Sequence, residues 1–403
     1  MSKIMFHLNT LAQGGAERVV SNLANEFCKG DDEIIVATEW VSEDEFVLDF
    51  RVKRLHVGLK NEDDGKSRIV KAMLRLKYLR QAVREEKPDV VIAFAQKAIY
   101  RLSFAVMGLK TPIVVCVRTD PTGHYDQPID KIVLPLINRR ATGAVFQTTG
   151  QRDFFPKHWI DISTIILNPV NSKYFLSDDE RNSAIKTKTI VQHARLVDFK
   201  NQPMLIDAFM KVHEVFPEYV LKIYGPDSFD GTKEILEKKI ADNNADSYIT
   251  LCGGSDELEK EIPKAQIYAF SSDWEGLPNT LIEAMAMGMP IVATNCPCGG
   301  PRTVMPKSEG MKPISISEYT NLPSGVSKEN LATTVERMEK TKDGILVPIK
   351  DPEALAMGII YLIEHPEYAN EAAQHARKIK DIANSEAIVN KWRDYIAKVC
   401  EQR

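Results

Sequence analysis

The chain has 403 residues, more than one compact core of ordinary size holds, so two domains of about 200 residues each are expected. Hydrophobic residues make up 44% and charged residues 27%, which excludes a disordered or fibrous chain. Lys and Arg number 24 against 21 Asp and Glu through Val170, and 28 against 35 beyond it. That skew is too mild for a nucleic-acid partner, yet it lets the front half meet an anionic surface.

In chain order, the opening MSKIMFHLN carries one Lys before a short apolar run, and Asn9 and Thr10 arrive too early for a signal-peptide core. It reads as a first strand. No stretch approaches the roughly 18 apolar residues of a membrane span. Membrane contact would therefore be peripheral, and the chain is expected in the cytoplasm. Short apolar runs then alternate with longer amphipathic ones, the pattern of βαβ units and parallel sheets. Strands are predicted at 3–8, 33–38, 52–56, 90–94, 113–117 and 144–147, and in a second series at 187–193, 220–224, 249–252, 266–270 and 291–294. The rhythm restarts after Leu167-Asn168-Pro169-Val170-Asn171, where Pro169 and the polar run behind it mark a hinge.

After the first strand, Gly14 and Gly15 permit close backbone approach to a ligand at the start of a helix, without forming a G-x-G-x-x-G or Walker loop. Glu39, at the end of the second strand, imitates the acid that a nicotinamide enzyme sets on its ribose. Residues 66–84 hold seven basic side chains (Lys66, Arg68, Lys71, Arg75, Lys77, Arg80 and Arg84) and no acid. Ile69, Met73, Leu76, Leu79 and Val83 recur there at helical spacing, which predicts a helix with one buried face and basic flanks turned outward to an anionic membrane. The fifth strand exits through Arg118-Thr119-Asp120-Pro121 and His124, a concentration of polar groups expected to face a cleft.

In the rear half, His193-Ala194-Arg195 through Lys200-Asn201 lies where a first strand gives way to a helix, the place where open α/β sheets bind ligands. Arg195 is a bidentate donor and Lys200 a point charge, which suits a departing pyrophosphate. The densest segment is Asp273-Trp274-Glu275-Gly276-Leu277-Pro278-Asn279-Thr280-Leu281-Ile282-Glu283, continuing to Gly288-Met289-Pro290. Gly276 and Pro278 break the chain before a helix that Gly288 ends. Glu275 and Glu283 then flank the outward backbone N–H groups of Asn279, Thr280 and Leu281, a geometry for a diphosphate with a hydroxyl-rich group on either side. From 306 to 340 the pattern loosens into an insertion with its own helix at 328–339. Ile388, Val389, Trp392, Tyr395, Ile396 and Val399 predict a docked C-terminal helix. Six dispersed cysteines fit a reducing compartment, and the Cys296/Cys298 pair has no partners at zinc-ligand spacing.

Taken together these segments resemble the retaining group 1, or family 4, glycosyltransferases. The resemblance rests on Glu275-Gly276-Leu277-Pro278-Asn279-Thr280-Leu281-Ile282-Glu283 and the run after it, on Ala194-Arg195-Leu196 with Lys200-Asn201, on Gly14-Gly15-Ala16-Glu17-Arg18, on Ile223-Tyr224-Gly225, and on Asp343-Gly344-Ile345-Leu346-Val347-Pro348. Ala194 stands where the family commonly has Gly. The resemblance implies an α/β GT-B fold of two facing Rossmann-like domains with a cleft between them. These are an acceptor domain at 1–170, a nucleotide-sugar domain at 171–384, and a helix at 385–403 docking across both.

It further implies that Glu283 binds the nucleotide ribose, Glu275 meets the donor sugar, and Arg195 with Lys200 holds the diphosphate. Gly14, Gly15, Gly276, Leu277, Asn279, Thr280 and Leu281 complete the donor set, Asp120 and His124 join the reacting groups, and Arg118, Lys71, Arg75, Lys77 and Arg80 lie on the acceptor or membrane side. No metal or other cofactor is expected. UDP is the first choice of nucleotide and GDP the second, with a glycan or polyprenyl-diphosphate-linked acceptor as in bacterial surface-polysaccharide synthesis. A GT-B sugar-nucleotide epimerase, a nicotinamide oxidoreductase and a non-catalytic partner subunit are the alternatives.

Overall fold

The computed structural model describes residues 2–12, 14–184 and 186–401. It divides into two compact units, Met1–Pro169 with Ala383–Arg403, and Val170–Ile382. Each is built on one seven-stranded sheet.

In the first unit the strands are β1 (Lys3–Leu8), β2 (Glu33–Thr38), β3 (Lys53–His56), β4 (Val90–Phe94), β5 (Ile113–Cys116), β6 (Gly143–Phe146) and β7 (Ser163–Ile165). They lie in the order β3-β2-β1-β4-β5-β6-β7, all parallel. β1 is central and covered on both faces, so Ile4 through Leu8 are all buried, as a continuous run in a parallel sheet should be. One face carries Met5, Val91 and Val115 against Leu102, Ile137 and Trp159. On the other, Phe6 meets Phe27 and Phe94 at 6.0 Å each, and Phe94 meets Trp392 at 6.2 Å. Trp392 comes from the helix Ser385–Glu401, which packs on the helix Gly15–Phe27. The expected C-terminal helix exists and belongs to the first unit, where Tyr395 donates to Ala144 O and Arg393 pairs with Asp32 at 3.1 Å.

The strands of the second unit are β8 (Thr189–His193), β9 (Val220–Tyr224), β10 (Ile249–Gly253), β11 (Ile267–Phe270), β12 (Ile291–Thr294), β13 (Glu339–Thr341) and β14 (Gly344–Val347). Their order is β10-β9-β8-β11-β12-β14-β13, with only β13 antiparallel to its neighbour among the described strands. Strand order reverses direction between β8 and β11, which makes their carboxyl ends the natural ligand crevice. The segment 306–340 is tighter than its composition suggests. Its helix is Lys328–Glu336 and stops short of 339, because Glu339 and Lys340 are drawn into β13. Ile314, Leu331, Val335 and Met338 join the core beneath it.

The helix Arg68–Glu86 forms as predicted, with Ser67 Oγ accepting from Val70 N at 3.4 Å. Its expected burial is corrected. Only Leu79 and Val83 are buried, while Ile69 is 75% and Met73 65% exposed. Nor do all the basic flanks point outward. Arg80 donates to Ala105 O and Met107 O at 2.7 Å each, tying the helix to its neighbour, and Arg75 turns towards Glu39. Lys77 is exposed and Lys71 half-buried.

Candidate functional site

Two loops meet at the carboxyl ends of β8 and β11. The first, Ala194 to Asn201, is closed by a short 3-10 turn, Asp198–Lys200, and Asn201 takes a left-handed conformation (φ 47°) that Asn tolerates better than most residues. Its side chain caps the helix Gln202–Val215 by accepting from Met204 N at 3.2 Å. The same side chain donates to Asp273 Oδ1 at 2.9 Å, Asp273 N donates to Phe199 O at 2.9 Å, and Ser271 Oγ donates to Lys200 O at 2.8 Å. These bonds staple the second loop, Ser271 to Pro278, to the first.

Stapling brings four charged groups together from distant sequence. Lys200 Nζ forms an ion pair with Glu275 Oε1, which also accepts from Ser272 Oγ at 3.2 Å. Glu283, in the second turn of the helix Asn279–Ala286, pairs with His193 Nε2 at 3.0 Å, both side chains being buried. Arg195 is exposed on the first loop, its carbonyl accepting from Gln202 Nε2 at 2.9 Å. Between the carboxylates stand the first-turn N–H groups of Asn279, Thr280 and Leu281, whose partners inside the helix do not exist. Gly276 is pressed against the turn behind β12, since a Cβ on Gly300 would meet its carbonyl oxygen at 1.9 Å. A Cβ on Gly225 would meet Ala194 O at 1.8 Å, so the strand ends on both sides approach at backbone distance. Gly288 ends the helix run at φ 72°.

The cluster pairs cations and carboxylates around a helix N-terminus, which is the equipment for gripping a diphosphate between hydroxylated groups. Burial pushes the Cys296 thiol beside it upward, with the charge of Glu275 adding to the effect, so Cys296 stays a protonated thiol rather than a nucleophile. All six cysteines are free. Among the described residues no group of three His, Cys, Asp or Glu side chains is placed to hold a metal ion.

Residues 187–318, which contain all of these groups, match the family model described as glycosyl transferases group 1. A Campylobacter jejuni protein is 24% identical over 402 residues, spanning 99% of both chains. Its name is GalNAc-alpha-(1->4)-GalNAc-alpha-(1->3)-diNAcBac-PP-undecaprenol alpha-1,4-N-acetyl-D-galactosaminyltransferase. The likeness to the group 1 glycosyltransferases lies in the second unit. An uncharacterized glycosyltransferase of Methanocaldococcus jannaschii is 25% identical over 80% of this chain and 82% of its own. The crystal structure of Anabaena HepE with UDP and glucose superposes with a TM-score of 0.76 at 16% identity, covering 99% of this chain and all of HepE. That likeness shows the fold, GT-B, with its two Rossmann-like units.

The first unit holds the remaining predicted residues, several in structural work. Arg118 donates to Asn168 Oδ1 at 2.8 Å and to Cys116 Sγ at 3.0 Å, its guanidinium lying over Phe94 and Trp392. It is a half-buried tie within the unit; its expected place was the acceptor or membrane side. Asp120 is buried and accepts from Thr122 N at 2.9 Å, closing the turn after β5. His124 is exposed, and its carbonyl accepts from Gln96. Gly14 precedes the helix Gly15–Phe27, with an extended backbone at φ −142°. Glu39 does lie at the end of β2, but its carboxylate is met by the guanidinium of Arg101, with Arg75 at 3.7 Å, where a nicotinamide enzyme would leave room for a ribose. Sequence reasoning assigned no role to His193 or Ser272. A histidine closing the first strand of the second series, Thr-Ile-Val-Gln-His, at the end where ligands bind, was the available signal for the first.

Proposed function

We propose that the chain is a glycosyltransferase that takes a hexose or N-acetylhexosamine from a UDP-sugar and transfers it, with retention at the anomeric carbon and without a metal ion, to a glycan or lipid-diphosphate-linked acceptor. The observation that carries the reading is the arrangement of Glu275–Lys200 and Glu283–His193 around the N-terminus of the Asn279–Ala286 helix, with Arg195 exposed on the loop that carries Lys200. Glu283 accepts from the ribose hydroxyls, held in place by His193. The first-turn N–H groups, Arg195 and Lys200 take the diphosphate, whose negative charge grows as the bond from the sugar C1 to the phosphate oxygen breaks. Glu275 accepts from hydroxyls of the donor sugar. The acceptor oxygen bonds to C1 on the face that the leaving group vacates, and its proton passes to the departing diphosphate. Support for UDP comes from HepE, crystallised with it, and support for a lipid-linked acceptor from the Campylobacter relative's name. The exposed basic and apolar residues of the Arg68–Glu86 helix favour a peripheral position on an anionic membrane.

A thermal-shift panel of UDP, GDP and their sugars tests the donor, since a ligand at 100 times its Kd adds about 2.7 kcal/mol to the folded state. Turnover with a responding sugar, followed by the anomeric NMR coupling of the product, then tests retention. A flat panel, or an isomerised donor with no transfer, overturns the reading.

A further inference from the structure

The loop between β9 and the helix Thr232–Asp242 is bound edge to edge to the loop that carries Arg195. Ala194 N donates to Tyr224 O at 2.9 Å, Leu196 N donates to Pro226 O at 3.0 Å, and Leu196 forms a parallel bridge with Asp227. Inside the loop Asp227 Oδ1 accepts from Phe229 N at 2.8 Å, and Asp230 Oδ1 accepts from Thr232 N at 3.0 Å, where the helix begins. The segment is therefore fixed at both ends and in its middle, beside the cations of the site.

Phe229 stands in this loop with two penalties. Its backbone is left-handed, at φ 55°, a conformation that bulky residues rarely adopt and that is strained when they do. Its ring is 91% exposed, so burial of apolar surface does nothing to offset that strain. A rigid turn that holds an aromatic ring in solvent beside a ligand crevice serves a contact outside the folded chain.

The strand order says what that contact is. The sheet runs β10-β9-β8-β11-β12. The Glu275–Lys200 pair lies towards its β12 side, since Ser272, which donates to Glu275, has its carbonyl tied to Thr294 Oγ1 at the end of β12, at 2.6 Å. His193, paired with Glu283, closes β8. A sugar nucleotide runs from sugar through diphosphate and ribose to base. With its sugar at Glu275 and its ribose at Glu283, its base continues away from β12, across the carboxyl ends of β9 and β10. The floor there is bare backbone. Gly225 N donates to Gly253 O at 2.7 Å, a Cβ on Gly253 would meet no atom within 4 Å, and one on Gly254 would come no nearer than 3.8 Å, to Pro226. A floor without side chains, next to one exposed aromatic ring, suits a planar π-system.

We infer that Phe229 stacks on the nucleobase of the donor, and that its strained turn serves to hold the ring against the base. The inference rests on the proposed donor reading, which sets the ribose at Glu283. Stacking needs only the π-face that every base has, so the ring adds affinity for uracil and guanine nucleotides alike.

Calorimetric titration of the full chain with UDP and with GDP tests it, on the parent and on Phe229→Leu and Phe229→Tyr. The ring ends in solvent, so both variants keep the fold. Phe229→Leu keeps an apolar side chain and loses the π-face, and should weaken each nucleotide that the parent binds by about fivefold to a hundredfold, the scale of base–aromatic stacking. Phe229→Tyr keeps the π-face and should bind as the parent does. Parental affinity in Phe229→Leu, or equal weakening in Phe229→Leu and Phe229→Tyr, overturns the inference and leaves the donor reading standing, because the parent still binds. A parent that binds neither nucleotide ends the donor reading and the inference with it.

Discussion

Glu283 and Glu275 differ in when they act. A carboxylate on the ribose is engaged in ground and transition states alike, so Glu283→Ala should raise the Kd for UDP about tenfold to a hundredfold with a smaller change in kcat, the scale of a hydrogen bond to a charged group. Glu275 meets the reacting sugar, and Glu275→Ala should lower kcat with little effect on UDP binding. Its ion pair with Lys200 adds a coupling. Single substitutions each leave a partner charge behind, so Glu275→Ala/Lys200→Ala should lose clearly less kcat/KM than the two single losses multiplied together. Strict multiplicativity in that cycle would show that the pair does not act as one unit. The pair joins residues 75 positions apart, and nothing in either segment alone announces it. The residues of the motif were legible because glycine, proline and carboxylates stood at helix-start spacing; their partners were not, because a contact made by folding leaves no local trace.

His7 carries a pH consequence at the same scale. Its folded pKa of about 4 lies below the ordinary 6.5, so the folded state resists protonation. The stability this represents is complete above pH 6.5 and is lost as the pH falls from there towards 4. By pH 5 the loss is about 2 kcal/mol. Unfolding measured at pH 7 and pH 5 should show this difference in the parent and a correspondingly smaller one in His7→Gln. Equal pH dependence would remove His7 as its source.

Among the elements, Arg68–Glu86 shows where periodicity misleads. Apolar residues at spacings of three and four predict a stripe, but they do not say which part of it finds a neighbour. The carboxyl-terminal half, Leu79 and Val83, packs on the sheet, whereas Ile69 and Met73 lie beyond that cover. Arg80, read as a free cation, donates instead to two carbonyls that end the adjacent helix Gln96–Ala105 and its extension. Arg80→Ala should destabilise the chain by about 2 kcal/mol, the scale of charge-assisted bonds to backbone oxygen, measurable as a lower urea midpoint. The cations left outward include Arg68, Lys77 and Arg84. Each contributes about 1 kcal/mol at an anionic surface. Replacing these three by Glu should abolish sedimentation with anionic liposomes at low salt while leaving the UDP thermal shift intact; unchanged sedimentation would return the helix to an ordinary solvated role. The long parallel strands were legible because burial on both faces forces unbroken apolar runs. β7 and β13, three residues each and half-polar at sheet edges, carry no such run and were missed; β14, a buried Gly-Ile-Leu-Val run of four residues behind the irregular 306–340 segment, was missed as well.

For the whole molecule, the division near Pro169 was legible from the restart of the strand rhythm. The return of Ala383–Arg403 to the first unit was not, since an amphipathic helix does not name the surface it covers. Trp392 is fully buried against Phe94 and beneath the Arg118 guanidinium, so Trp392→Ala should cost about 3–5 kcal/mol. The loss should appear in the melting of the first unit, read by hydrogen exchange in β4 and β5, with the second unit's strands unaffected. This topology also sets an order of assembly. The ribosome delivers a domain's residues in sequence, and domains generally fold as they emerge. Here the first unit is interrupted: Val170–Ile382 must be made before the helix that covers Phe94 exists. During translation the second unit can close on itself while the first waits with an aromatic face open to solvent, so the later-made half matures before the earlier one, and a nascent chain stalled near residue 382 would present that face to chaperones.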